Sequence, residues 1–408
     1  MLRPEPVTDD TAVRDRRLLY AAAFLRATTT STVGVTLGPY LSRLGLEGVS
    51  LGAVISAGLA GAALAALFGT LFADRLGRRR FLLLVTATGI AGTVVFALAS
   101  SPIALAAAAF VGTVNGMGRD RGAALILEQA ALPSTAPPER RTQVIAGYTM
   151  LQDIGHAVGA LCAGIPAWLA ATTNLSGTEP DRVVLLACAG VGLVGIALYL
   201  RLGATVEHGA AVRPVLSPKS RAIITKISAL FALDGLGGGF LTTALLSFFF
   251  FERFGVSEAE MALLFFGARV LNAVSHLGAA WLAKRIGLVK TMVFTHIPSS
   301  LLLVTVAFAP SFPIAAVVFL LREGLVEMDV PTRQSYVLAV VGPTERTLAS
   351  GITTLVRLLM WAIGPLIAGA LMFGDTLYVP LLVGAAMKIT YDILLWRAFR
   401  AVRPPEES

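Results

Sequence analysis

The sequence predicts an all-α integral membrane protein of twelve transmembrane helices, arranged as two six-helix pseudo-symmetric halves. Three observations carry this. Of 408 residues, 56% are hydrophobic and only 14% are charged, with mean hydropathy +0.76; soluble domains carry about 25% charged residues. The apolar residues fall in runs of about 20 or more, the length that crosses a ~30 Å hydrocarbon core. Segments of the first half also recur in the second, about 210 residues later.

In chain order, residues 1–17 are polar, with Arg3, Glu5, Asp9, Asp10, Arg14, Asp15, Arg16 and Arg17, and read as a disordered cytoplasmic tail. The first apolar run, Leu18 to about Ser42, is interrupted only by Arg26. It is too long for the core of a signal peptide and reads as an uncleaved first span. Five more spans, roughly 49–73, 81–100, 103–130, 143–172 and 183–201, complete a first bundle over 18–201. The longest connection, 202–222, holds Arg213, Pro214, Pro218 and Lys219 and reads as a cytoplasmic linker. Spans at roughly 223–251, 259–283, 289–309, 313–340, 347–373 and 377–398 form a second bundle over 223–398, followed by a cytoplasmic tail, 399–408. The run Phe248, Phe249, Phe250 and Phe251 reads as part of an interfacial aromatic belt.

An even number of spans puts both termini on one side. Arg16, Arg17, Arg140, Arg141, Arg397, Arg400 and Arg403 make that side cytoplasmic, because Lys and Arg are retained there. The same rule accounts for the net charge of +8, so no nucleic-acid partner is expected. Cys162 and Cys188 both lie in apolar runs and read as free thiols.

The most informative stretch is Ala73-Asp74-Arg75-Leu76-Gly77-Arg78-Arg79-Arg80, a charged turn between the second and third runs. It resembles the signature of the major facilitator superfamily, Gly-x-Leu-x-Asp-Arg-x-Gly-Arg-Lys/Arg. Asp74, Arg75, Gly77, Arg78 and Arg79 match position by position, while Thr70 and Phe72 replace the Gly and Leu. A second copy, Ala283-Lys284-Arg285-Ile286-Gly287-Leu288-Val289-Lys290, follows 210 residues later. Arg43-Leu44-Gly45 recurs as Arg253-Phe254-Gly255, and Pro137-Pro138-Glu139-Arg140 as Pro343-Thr344-Glu345-Arg346. Parallel repeats of this kind relate the two six-helix halves of that fold.

The resemblance implies a central cavity lined by the first, fourth, seventh and tenth helices. It therefore places Arg26, then Arg119, Asp120 and Arg121, then Asp234, then Arg322, Glu323, Glu327 and Asp329 on the path of substrate or protons. It also implies a cytoplasmic gate of Asp74, Arg75, Gly77 and Arg78. Glu128 is the expected partner of Arg78, and the start of the eleventh helix near Arg346 that of Asp74.

The charges themselves fit either a pathway or a static ion-pair network holding the bundle together, because ionisable groups in hydrocarbon cost several kcal/mol and normally face a cavity or another helix. In the tenth span Arg322, Asp329 and Arg333 are spaced to share a helix face, with Glu323 and Glu327 on a neighbouring one. Pro331 removes a backbone donor and favours a kink there. In the fourth span three consecutive charges, about 100° apart on a helix, cannot all face one way. Asp234 or Glu327 is the expected proton carrier, with Asp153, in the fifth span, as the reserve candidate. That span also carries Gly155 and Gly159 in a pattern resembling the family's antiporter motif, with Ala160 in place of its Pro; small-residue packing explains it equally. His156, His276 and His296 lie on separate spans without ligand spacing, so no metal is expected.

Together these readings predict a secondary active transporter of a small molecule, working by alternating access in the cytoplasmic (inner) membrane. Proton coupling and a lean towards efflux are expected; uptake symport or uncoupled facilitation is the alternative, and a transport-fold sensor without flux the remote one. No Gly-x-x-x-x-Gly-Lys-Ser/Thr, His-Glu-x-x-His or Gly-x-Ser-x-Gly is present, so neither ATP-driven transport nor these enzyme classes are indicated. The expected partners are the small-molecule substrate, protons and lipid. No cofactor is expected, and the protein reads as a monomer.

Overall fold

The computed structural model describes residues 9–207, 216–342 and 345–399. Residues 1–8, 208–215 and 400–408, which hold parts of the expected tails and linker, lie outside them. Among the described residues the regular structure is entirely helical. The first half contains α1 (Asp9–Arg43), α2 (Gly48–Leu76), α3 (Arg78–Leu98), α4 (Pro102–Gly112), α5 (Ala123–Ala131), α6 (Arg141–Cys162), α7 (Ile165–Thr172) and α8 (Glu179–Leu200). The second contains α9 (Pro218–Gly239), α10 (Thr243–Phe254), α11 (Glu258–Ile286), α12 (Leu288–Ala307), α13 (Phe312–Val326), α14 (Asp329–Ala339), α15 (Arg346–Leu371) and α16 (Val379–Phe399).

Nine stretches among the described residues are long and apolar enough to cross a membrane. Three expected spans fall outside that set for local reasons. In α1, five consecutive hydroxyl residues, Thr28 to Thr32, follow Arg26. The fourth and tenth expected spans are each broken in two, as α4/α5 and α13/α14, and carry several charged residues at the break. Several starts follow from sequence. Ser101 and Ser217 cap α4 and α9, each with Pro in the first helical turn, where its missing N–H has no partner to lose. The Thr242 hydroxyl accepts the Leu245 N–H at 3.2 Å and restarts the seventh span as α10.

The expected N-terminal tail is corrected over residues 9–17, which are helical from Asp9. Asp15 is fully buried, and its carboxylate accepts the Gly203 N–H at 3.0 and 3.1 Å. The Phe run is also corrected. Phe248, Phe249 and Phe250 are buried; Phe249 packs edge-on against Phe254, and Phe250 against Phe312 and Phe319, so the run fills a protein interior.

The chain divides into two compact units. One comprises the described residues to Leu46, from Ala57 to Glu207, and Ser257–Leu263; the other comprises Glu47–Ser56, Leu216 to Val256, and the described residues from Leu264 onward. In the first, Leu19, Phe81, Leu127, Tyr148, Tyr199 and Val206 belong to one apolar core. In the second, Ile227, Phe231, Met292, Tyr336, Tyr391 and Leu395 do so.

The glycines of the fifth span serve packing. A Cβ on Gly159 would lie 2.1 Å from the Thr28 carbonyl oxygen of α1, and the Thr32 hydroxyl already bonds the Gly159 carbonyl at 3.0 Å. Gly159→Ala is therefore expected to push α6 off α1 and destabilise the protein by about 1–3 kcal/mol. Gly190→Ala on α8, where a Cβ meets nothing within 4 Å, is expected to be neutral or slightly stabilising. Thermal unfolding of both variants in detergent checks the contrast; equal melting temperatures would refute it.

Candidate substrate and ion pathway

The first unit is built around Arg26, at the middle of α1. All five N–H donors of its guanidinium are engaged. Nε donates to Asp120 Oδ2 at 2.6 Å, Nη1 to Glu128 Oε1 at 2.9 Å and to the Tyr199 hydroxyl at 2.7 Å, and Nη2 to Glu128 Oε2 at 2.6 Å and to the Tyr148 hydroxyl at 3.3 Å. The two tyrosine hydroxyls in turn donate to Glu128 at 2.5 Å each. Glu128 is fully buried. One cation thus faces two carboxylates.

Asp120 reaches this position because the fourth span is unwound from Thr113 to Gly122. Thr113 takes a left-handed φ of 49°. Asn115 braces the loop, donating to the Arg119 carbonyl at 2.7 Å and accepting the Met117 N–H at 2.8 Å. His156 Nε2 accepts the Asp120 N–H at 3.0 Å. Irregular backbone at membrane depth persists only when buried in protein or lining a cavity. The expectation that Arg119, Asp120 and Arg121 fan out on a continuous helix is therefore corrected; Asp120 is buried and Arg119 and Arg121 are half-buried. Asp153 is half-buried on α6.

The second unit is built around Asp234, which is fully buried on α9. Three cations converge on its carboxylate: Lys388 Nζ at 3.0 Å, Arg357 at 2.9 Å and Arg333 at 3.6 Å. The chain continues from Lys388 to His296 Nε2 at 3.4 Å, and from His296 Nδ1 to both oxygens of Asp392 at 3.1 and 3.0 Å. Arg333 also pairs with Asp329 one turn earlier. Arg357 stacks on Trp361, 4.9 Å from the ring centre.

The tenth span is interrupted beside its charged cluster, close to the kink expected from Pro331. It breaks at Glu327 and Met328, upstream of Pro331, and the Glu327 carbonyl accepts the Val330 N–H at 3.3 Å. The expected Arg322–Asp329–Arg333 face is split. Arg322 pairs with its neighbour Glu323, which also accepts Asn272 at 2.9 Å. Glu327 lies 3.8 Å from His276 Nε2.

The signature turn is explicit. Gly77, at φ +92°, makes the reversal that a side chain would strain. Asp74 binds Arg78 Nε at 2.9 Å, and Glu207 accepts the backbone N–H groups of Arg78 and Arg79 at 2.8 and 3.1 Å. A carboxylate at this helix start satisfies otherwise orphaned donors. The expected Arg78–Glu128 pair is corrected, because Glu128 is taken by Arg26 and Arg78 by Asp74. Arg75 is exposed, and Arg346 donates to the Leu338 carbonyl at 3.0 Å. Its neighbour Glu345 clamps the start of α9 through the Ser220 hydroxyl and the Ser217 N–H. Those two hydrogen bonds hold its carboxyl at about 2, below the usual carboxylate range.

Sequence reading missed Tyr148, Tyr199, Lys388, Arg357, His296 and Asp392 as members of these networks. His296 was named only as a lone histidine; the signal available for Lys388, Arg357 and Asp392 was charge within an apolar span, which does not identify partners.

Two helical repeats with buried ion networks and broken helices at membrane depth define a multi-pass carrier protein. The family model described as Major Facilitator Superfamily matches residues 19–251 and again 227–408. The chain belongs to the major facilitator superfamily, whose members move small solutes. An uncharacterized membrane protein of Saccharomyces cerevisiae, YJR124C, is 23% identical over 426 residues, spanning 96% of this chain and 95% of that protein. Among solved structures, a bacterial homolog of the human lysosomal transporter Spinster has TM-score 0.74 at 18% identity, over 97% of this chain and 98% of its own. The nucleoside transporter NupG has 0.73 at 16%, over 95% and 99%. A D-xylose-proton symporter has 0.73 at 14%, over 95% and 98%. These likenesses carry the fold.

Proposed function

We propose that this chain is a proton-coupled secondary transporter exporting a small polar solute across the cytoplasmic membrane by alternating access, with both termini cytoplasmic. The observation that carries the reading is the pair of buried ion networks around Arg26 and Asp234, equivalent positions 208 residues apart on the first and seventh spans. Buried charges are costly to keep, and two such networks at repeat-related positions suit a solute with polar or ionised groups. Exposed Arg80, Arg140 and Arg141 support the cytoplasmic assignment of their loops.

Glu327 is the proposed proton carrier. It sits at the break between α13 and α14 beside His276, whereas the Asp234 charge is already shared among three cations. Asp74, with Arg75, Gly77 and Arg78, is proposed to close the cytoplasmic side. The test is flux in proteoliposomes, after a thermal-shift screen against sugars, nucleosides, organic acids and amines supplies a substrate. Solute movement is expected to acidify or alkalinise the lumen in proportion. Glu327→Gln should retain solute exchange but lose accumulation driven by a pH gradient. A wild type indifferent to the gradient, or a Glu327→Gln that still accumulates solute, refutes the coupling.

A further inference from the structure

A cavity of about 180 Å³ lies inside the first unit. Its walls come from α1, α2, α3 and α8 and from the unwound stretch of the fourth span, and most of them are apolar or small, including Leu25, Val33, Val85 and Ile90. Only two lining residues are charged, Arg26 and Asp120.

Donor and acceptor counting decides what the cavity can hold. Arg26 has no N–H left, since its five donors are committed to Asp120, Glu128, Tyr148 and Tyr199. A guanidinium has five donors and no acceptor, so an anion entering the cavity would find hydroxyl and amide groups there but no free cationic donor. Glu128 is equally complete, with both oxygens each accepting from Arg26 and from a tyrosine. Asp120 is not. Its Oδ2 accepts Arg26 and Gln152 at 2.6 and 3.2 Å, but Oδ1 accepts only the Gly122 N–H at 3.4 Å, a weak bond. Within this network one guanidinium faces two carboxylates. The cavity wall therefore includes an under-used carboxylate acceptor among mostly apolar or small residues.

We infer that this cavity binds a small organic ammonium, its N–H groups directed at Asp120 Oδ1 and its apolar body lying against α3 and α8. A charge-assisted hydrogen bond of this type is roughly twice as strong as a neutral one. The inference rests on the geometry of the first unit and not on the transport reading, and a binding measurement without flux separates the two.

The probe is 2-phenylethylammonium, with 3-phenylpropanoate as the anion of similar shape. At several times its dissociation constant the ammonium is expected to raise the melting temperature of the purified full-length protein by about 2–4 °C; the carboxylate should not. The shift should vanish in Asp120→Asn. The unmutated protein with the two probes decides the matter even if that variant does not fold. Cys188, which lines the cavity, locates the site. In a Cys162→Ser background, where it is the only thiol, its alkylation should slow about fivefold at a ligand concentration four times the dissociation constant. No shift with the ammonium, equal shifts from both probes, or a shift that leaves Cys188 alkylation unchanged overturns the inference.

Discussion

Arg26→Met is expected to destabilise the protein by about 3–5 kcal/mol and to abolish transport. The side chain is close in length, so α1 keeps its packing, but five hydrogen bonds disappear together. Asp120 and Glu128 then lose their common cation, and the Tyr148 and Tyr199 hydroxyls lose a donor. Breaking a buried pair from one side costs far more than the pair contributes, because the partner stays charged and desolvated. Adding Glu128→Gln to Arg26→Met should therefore recover stability, since it removes one of the two stranded charges. Unfolding in detergent of the two single variants and the double variant forms a cycle that isolates the coupling. A double variant less stable than Arg26→Met alone would show that Arg26 and Glu128 do not act as a pair.

Much of this architecture was legible before any coordinates. The Asp74–Arg79 turn between two complete apolar runs located the signature loop, and charges inside spans marked Arg26, Asp120, Asp234 and the tenth-span cluster. Three kinds of information were not local. The break from Thr113 to Gly122 was hidden because Gly118 and Gly122 equally serve packing in a span, whereas the break at Glu327–Met328 falls beside the kink that Pro331 marks. Partner choice was hidden because spacing along one helix says nothing about its rotation against another. Glu128 was assigned to the gate by its position at a helix end, yet its partner lies 102 residues earlier in the chain. Small polar groups were overlooked because a tyrosine in an apolar span is ordinary. Only the fold brings the Tyr148 and Tyr199 hydroxyls onto one carboxylate.

The two networks also invert each other in charge. Arg26 and Asp234 are 208 positions apart, Asp120 and Asp329 are 209 apart, and Tyr148 and Arg357 are 209 apart. The first repeat surrounds a cation with acids and hydroxyls; the second surrounds an acid with cations. Shared helical scaffolds thus support opposite electrostatics, so the repeat constrains where the ionic sites fall and leaves their sign to individual substitutions.

That inversion makes the response of Asp234 the sharpest test of the second unit. Asp234→Asn preserves volume and one acceptor but leaves Lys388, Arg357 and Arg333 without their shared carboxylate. Three like charges would then repel one another in a dry interior, and a loss of about 3–5 kcal/mol is expected, together with loss of flux. Lys388→Met alone should cost less. Asp234 would keep Arg357 at 2.9 Å and Arg333 at 3.6 Å, and His296 would remain paired with Asp392. The double variant, Asp234→Asn with Lys388→Met, should be more stable than Asp234→Asn alone, because only two cations then remain to be accommodated. Thermal unfolding of the three variants orders them directly, and proteoliposome flux reports function on the same samples. If Lys388→Met proves as damaging as Asp234→Asn and the double variant is worse than either, then the three cations are held by other partners and Asp234 does not organise the second unit.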